Sequence, residues 1–210
     1  MRHKQDEEVE KHKSDSGNES KSIRIKILSL GSAKCGKTCI IKRYCESRFI
    51  SKYVPTIGVD FGVKSFQIKS GRGSLREKKS TLHNSQPKLV DVKVNFFDLS
   101  GRPEFFEIRN EFYKDASGAF LVFDVSDKKS FHELKDWLVE IKTGVKCNSM
   151  INIPVLLCGN KVDKPRVITE KDAVQFAAEN GLVYFETSCK TGADIDDMLE
   201  FLFRSTVKCL

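Results

Sequence analysis

At 210 residues the chain has room for one domain with a tail, and 40% hydrophobic content suffices for a proper core. No stretch approaches the roughly 20 apolar residues of a membrane span, the N-terminus has no apolar signal-peptide core, and position 2 is Arg2, not a Gly open to myristoylation. The net charge is +7, but residues 69–88 hold six basic residues against Glu77 and supply +5 of it, so the remainder is nearly balanced and unlike a specific nucleic-acid binder.

Seven scattered cysteines, an odd number with no C-x-x-C pair, read as reduced thiols of a cytoplasmic protein, with the nucleus as the open alternative. They do not suggest a zinc site.

Residues 1–21 are rich in Lys, Glu, Asp and Ser, with Val9 the only apolar residue beyond Met1, and predict a disordered tail. Ile23, Ile25, Ile27, Leu28 and Leu30 then make a β-rich apolar run. It leads into Gly31-Ser32-Ala33-Lys34-Cys35-Gly36-Lys37-Thr38, the G-x-x-x-x-G-K-T phosphate-binding loop, and a helix follows from Cys39 to about residue 48. Glycines let backbone N–H groups turn inward around a phosphate, and the new helix points its positive end at the same anion. Lys37 reaches the outer phosphates, and the Thr38 hydroxyl suits Mg²⁺. The loop alone does not say which nucleotide is bound.

Pro55 and Gly58 mark a loop before a second strand, about Val59–Ile68. The third strand, Leu89–Phe97, alternates clearly, and the basic stretch of about 70–88 between them exceeds the usual hairpin connection of 2–5 residues. Its Gly, Ser and Lys content predicts a solvated loop. Asp98-Leu99-Ser100-Gly101 ends the third strand, and a helix is expected over Pro103–Lys114. Ala119–Val125 reads as a buried parallel strand. Phe131, Leu134, Trp137, Leu138 and Ile141 have helical spacing and predict one helix over Ser130–Thr143.

Pro154–Cys158 is another buried strand, ending in Gly159-Asn160-Lys161-Val162-Asp163. Thr169 opens a helix to Asn180 that Gly181 closes. Leu182–Phe185 is the last strand, followed by Glu186-Thr187-Ser188-Cys189-Lys190 and a helix over Asp194–Thr206. Alternating strands and helices predict a mostly parallel six-stranded α/β sheet with helices on both faces. Ligands sit at the carboxyl ends of such strands, where all four polar clusters fall.

These motifs resemble the five guanine-nucleotide motifs of the Ras-like small GTPases, and the Rab branch in particular, over about 22–206. The set is the phosphate loop, Pro55-Thr56, Asp98-x-x-Gly101, Asn160-Lys161-x-Asp163 and Glu186-Thr187-Ser188-x-Lys190. Thr56-Ile57-Gly58-Val59-Asp60-Phe61 is Rab-like. Val54-Pro55-Thr56, Arg109 to Asp115 and Lys42-Arg43-Tyr44-Cys45 resemble the RJL group, Rab-like GTPases that often carry a J domain. No His here is followed by Pro-Asp, so no J domain is expected in this chain.

The resemblance implies a Ras-like P-loop G domain that binds GTP or GDP with Mg²⁺ as a molecular switch. Asp163 would accept from the guanine N1–H and exocyclic amine, Asn160 would face the base, and Lys161 and Lys190 would lie along base and sugar. Cys189 would donate its backbone N–H to the guanine O6, with Ser188 bracing the loop. Phe49 would pack edge-on against the base; a core Phe at a helix end is an equal reading of that residue. Cys39 and Tyr53 complete the expected lining. Thr38 and Thr56 would hold Mg²⁺, with Asp98 acting through water, and the Gly101 N–H would meet the γ-phosphate beside Lys37. Loss of that phosphate would release both switch loops.

The resemblance also implies effector proteins and an exchange factor as partners, allows an activating protein, and implies a monomer. The partner face would be Phe61, Phe97 and Phe112, matching the Rab aromatic triad. Rab proteins end in lipidated cysteines after a long tail; here Cys209 is next to last without C-a-a-X, so no lipid anchor is evident.

One departure bears on turnover. The family's water-positioning Gln is replaced by Arg102, followed by Pro103. Arg has no acceptor, so it cannot take a hydrogen bond from the attacking water, and slow hydrolysis is expected. Ala33 and Lys34 also replace glycines that Ras itself carries. A nucleotide-locked scaffold without hydrolysis is the alternative that Arg102 favours; a small-molecule kinase is disfavoured by Asn160-Lys161-Val162-Asp163.

Overall fold

A computed structural model describes residues 22–69, 89–146 and 153–210. The expected disordered tail at 1–21 and the basic insert at 70–88 lie outside the described residues. Six strands form one sheet: β1 Ile23–Leu30, β2 Val59–Lys69, β3 Leu89–Leu99, β4 Gly118–Asp124, β5 Val155–Asn160 and β6 Val183–Thr187. Their order is β2-β3-β1-β4-β5-β6. Only the β2–β3 pair is antiparallel, with Val59 opposite Leu99 and Lys69 opposite Leu89. The other neighbours run parallel, so the expected mostly parallel α/β sheet is the observed fold.

The helices are α1 Lys37–Glu46, α2 Phe106–Phe112, α3 Lys128–His132, α4 Leu134–Lys146, α5 Glu170–Glu179 and α6 Ile195–Lys208. The period of two along the strands divides the core. Ile25 and Ile27 of β1 face α1 and α6, meeting Ile40, Met198, Leu202 and Phe203. Leu28 and Leu30 face the opposite side, with Trp137 and Leu138 of α4 and Phe176 of α5. Both faces of the central strands are thus covered, and all of β4 is buried, as its unbroken apolar run requires. Among the described residues, no helix is long and apolar enough to cross a membrane.

Two elements differ from their sequence expectation. The helix expected over Ser130–Thr143 is two segments that bend at Glu133. Backbone bonding continues through the bend, with the Glu133 N–H donating to Lys129 and the Trp137 N–H to the Glu133 carbonyl. The apolar period therefore survives while the Glu133 carboxylate turns to the phosphate loop. The helix expected over Pro103–Lys114 begins as a 3-10 turn over Pro103–Phe105 and becomes α-helical only over Phe106–Phe112. The buried Arg109 guanidinium draws the carbonyls of Ser100 and Arg102 toward α2, at 3.1 and 2.7 Å, and this tightens the entry turn. The Thr169 cap is present: its hydroxyl accepts from the Asp172 N–H at 3.1 Å.

Candidate functional site

The phosphate loop joins β1 to α1 in the centre of the sheet. Gly31 sits at φ 126° and Gly36 at φ 108°, both in left-handed space that favours glycine. A Cβ on Gly31 would overlap the Val122 carbonyl, and one on Gly36 would overlap the Asn160 amide. Lys37 is buried, and its ammonium donates to the Gly31 carbonyl at 2.7 Å and the Ser32 carbonyl at 3.0 Å. The loop thus curls around its own cation, which leaves the mouth of the loop positive.

At the edge of that mouth, Thr38, Thr56 and Asp98 converge. The two hydroxyls are 3.0 Å apart, the Thr38 hydroxyl donates to Asp98 Oδ2, and Thr56 reaches the same oxygen at 3.3 Å. Ser29, on the buried strand behind, fixes the other carboxylate oxygen at 2.7 Å. Only oxygen donors meet here, the set that suits Mg²⁺ rather than a soft metal. The residues from three separate elements therefore fit the expected ion.

Asp98 is the penultimate residue of β3, beside the segment that leads from Thr56 into β2. The Ser100 N–H donates to the Gly58 carbonyl at 2.9 Å, one step beyond the β2–β3 ladder. Gly101 lies against the phosphate loop so closely that a Cβ would overlap the Ala33 nitrogen and the Gly31 carbonyl.

The other wall comes from the ends of β5 and β6. Asn160 is 1% exposed. Its amide donates to the Cys35 carbonyl at 2.9 Å, and its side-chain oxygen accepts from the Thr187 hydroxyl at 3.2 Å. Lys161 donates to the Lys34 carbonyl and to Asp124, each at 2.6 Å. Burial pushes the Asp124 carboxyl up, but hydrogen bonds from Lys161 and Ser126 outweigh it, and the group titrates below its ordinary value. Ser188 donates to Asp163 Oδ1 at 2.6 Å, while the Asp163 carboxylate stays on the surface of the cavity.

These walls enclose a cavity of about 530 Å³, a size suited to a nucleotide. Ala33, Lys34, Gly36, Lys37, Thr38, Cys39, Phe49, Tyr53, Thr56, Gly101, Arg102, Asn160, Lys161, Asp163, Cys189 and Lys190 line it. Of the remaining expected site residues, Gly31, Ser32, Cys35, Asp98 and Ser188 do not, and all five are buried behind the lining. Phe49 is 39% exposed and is therefore a wall residue, not a core residue. The thiols here are quiet: burial raises the pKa of Cys35, Cys39 and Cys189 and pushes Cys158 up to about 12.

The Ras family model matches residues 26–208. Among curated relatives, DnaJ homolog subfamily C member 27 of Rattus norvegicus is 44% identical over 190 residues, covering 89% of this chain and 63% of its own length. The Homo sapiens protein of that name is 42% identical with the same coverages. The Xenopus laevis DnaJ homolog subfamily C member 27-B is 40% identical over 205 residues, covering 95% of this chain and 67% of its own.

The chain belongs to the Ras family.

It spans just under two thirds of the length of most of these relatives. The match to them agrees with the resemblance to the Rab branch and its RJL group. Its Ras-family motifs meet at one rim although they are scattered from Gly31 to Lys190, because four of them lie at the carboxyl ends of β1, β3, β5 and β6, and the segment before β2 brings Thr56 to the same rim.

Arg102 is half-exposed and pairs with Glu104 at 3.4 Å. Phe61 is 56% exposed, with Phe97 and Phe112 partly buried beside it. Ring centroids lie 5.1 Å apart for Phe61–Phe97 and 5.5 Å for Phe97–Phe112. The core alternative for Phe97 is thus only half right: its ring bridges the surface and the cluster around Leu28 and Leu121.

Several residues that support the site from behind lack a sequence motif. Ser29 is hidden in an apolar run, and Glu133, Trp137 and Glu140 read as ordinary helix positions. Asp124 left a signal: it is the one acid at the end of a wholly apolar strand, where a carboxylate needs a partner.

Proposed function

We propose that this chain is a Mg²⁺-dependent guanine-nucleotide switch with slow intrinsic GTP hydrolysis. The observation that carries the reading is the Asp163 carboxylate, braced by Ser188 at 2.6 Å on the wall opposite the phosphate loop. A carboxylate accepts from the guanine N1–H and amine; adenine offers no such pair, so the same wall rejects ATP. Asn160 ties this wall to the phosphate loop through Cys35. Thr38 and Thr56 would hold Mg²⁺, with Asp98 acting through water, and the bound ion would offset phosphate charge. Competition against labelled GDP tests the reading. GTP should displace the label and ATP should not; equal displacement by both would contradict it.

For hydrolysis, Lys37 and the backbone amides of the phosphate loop stabilise charge that develops on the phosphates. Positioning of the attacking water is the weak step, because Arg102 carries donors only and is drawn toward Glu104. Single-turnover phosphate release should run at or below about 10⁻⁴ s⁻¹. Arg102→Gln should raise it by about 10²-fold, the lower end of what a positioned proton-handling group contributes. A wild type faster than the Gln variant would make Arg102 itself catalytic.

Partners are expected on the aromatic face of Phe61, Phe97 and Phe112 next to both switches. Effector and exchange-factor binding there would follow the nucleotide state through the segment that carries Thr56. Phe112→Ala should abolish GTP-dependent capture of a partner while the thermal midpoint stays within a few degrees. Unchanged capture would move the partner surface elsewhere.

A further inference from the structure

Helix α4 holds both the phosphate loop and, through α2, the segment at Gly101, and no motif of the sequence announces it. The central piece is Arg109 on α2, which is 4% exposed. Its Nε and Nη2 donate to the two carboxylate oxygens of Glu140 on α4, each at 2.8 Å. Its Nη1 donates to the carbonyls of Ser100 and Arg102, which bracket Gly101. Trp137 of α4 packs under the guanidinium at 4.7 Å, and the Tyr113 hydroxyl donates to Glu140 at 2.7 Å. Every nitrogen of the guanidinium is thus in use, in the planar fork geometry that only Arg supplies.

The same face of the helix holds the phosphate loop. Trp137 Nε1 donates to the Ser32 hydroxyl at 3.3 Å, and Ser32 donates in turn to Glu133 at the α3–α4 bend. Gly101 and the phosphate loop are therefore referenced to one rigid element, and they touch each other at Ala33 and Gly31.

We propose that Arg109 is a positioning residue that sets the Gly101 amide at its γ-phosphate distance from the phosphate loop before nucleotide arrives. The start of the second switch is then ordered with GDP as well as with GTP, and γ-phosphate sensing by movement falls to Thr56 in the first switch. The clamp rests on the guanine-switch reading and refines it. Its cost is a buried ion pair, whose removal from one side leaves an uncompensated charge; a double variant avoids that.

The test compares labelled GDP with labelled GppNHp on the full chain with Mg²⁺, for wild type, Arg109→Met and Arg109→Met/Glu140→Gln. GDP affinity should stay within about twofold in both variants. GppNHp affinity should fall about tenfold, because a pre-placed donor to a charged oxygen is lost. Amide exchange on the wild type is the second readout: the N–H of Phe105, which donates to the Arg102 carbonyl, and that of Phe106, which donates to the Pro103 carbonyl, should be equally protected with either nucleotide. Equal losses for GDP and GppNHp would reduce Arg109 to a structural role. An unchanged ratio, or rapid Phe105 exchange with GDP alone, would overturn the clamp. A wild type that binds neither nucleotide would overturn the guanine reading first, and the clamp with it.

Discussion

Asp163→Asn is expected to lower GDP and GTP affinity by about 10³-fold, measured by equilibrium competition with a labelled nucleotide. The carboxylate would accept two hydrogen bonds from the guanine edge, and a charged acceptor contributes about 1.5–3 kcal/mol per bond. Two such bonds make about 3–6 kcal/mol, or roughly 10²–10⁴ in affinity. The amide of Asn places an N–H₂ against a guanine donor, so one bond becomes a clash of donors. Xanthine carries a carbonyl where guanine has its amine, so XDP should bind the variant better than GDP does. Ser188 still supports the remaining oxygen, so the thermal midpoint of the nucleotide-free chain should hardly move. A variant that keeps wild-type GDP affinity would mean that the base is read elsewhere.

Gly36→Ala should be strongly damaging. Gly36 adopts φ 108°, where an L side chain is strained by about 1–3 kcal/mol. The new Cβ would also overlap the Asn160 amide nitrogen. That amide has nowhere to go: it donates to the Cys35 carbonyl, and its oxygen accepts from Thr187. Relief must come from opening the phosphate loop or from breaking the link between that loop and the base wall. Either way both ends of the nucleotide lose their fit. We expect a loss of at least about 10²-fold in GDP affinity, matching about 3 kcal/mol, and a thermal midpoint lower by several degrees. Isothermal titration and a melting curve together check it. A variant with normal affinity and lowered stability would place the strain outside the nucleotide site.

Several parts of this protein follow from its sequence alone. Alternation in Leu89–Phe97, unbroken apolar runs at β4 and β5, and the helical period from Phe131 to Ile141 declare their elements because burial acts on every second or every third to fourth side chain. The order of strands and helices then restricts the topology, and the polar clusters after four strands must share one rim. Gly31, Gly36-Lys37-Thr38, Asp98, Asn160 and Asp163 stand out in the sequence because each belongs to a short-range motif, and the fold brings them to one cavity or directly behind its lining.

Tertiary structure decided the contacts between residues that carry no local signal. Arg109 and Glu140 lie 31 positions apart, and Ser32 and Trp137 lie 105 apart. Nothing in either neighbourhood marks a buried charge, because a lone Arg or Glu on a helix usually faces water. Only the packing of α2 and α4 on the same side of the sheet removes that water and forces the pair to form. The bend at Glu133 has the same origin: the local period continues through it, and the contact that uses it is with a loop far back in the chain. Phe49 is the converse case. Its type suits a core, and it became a cavity wall because the chain between α1 and β2 crosses the mouth of the phosphate loop instead of packing behind it. Local periodicity records which side of an element is buried; what lies against that side depends on elements that meet only once the chain has folded.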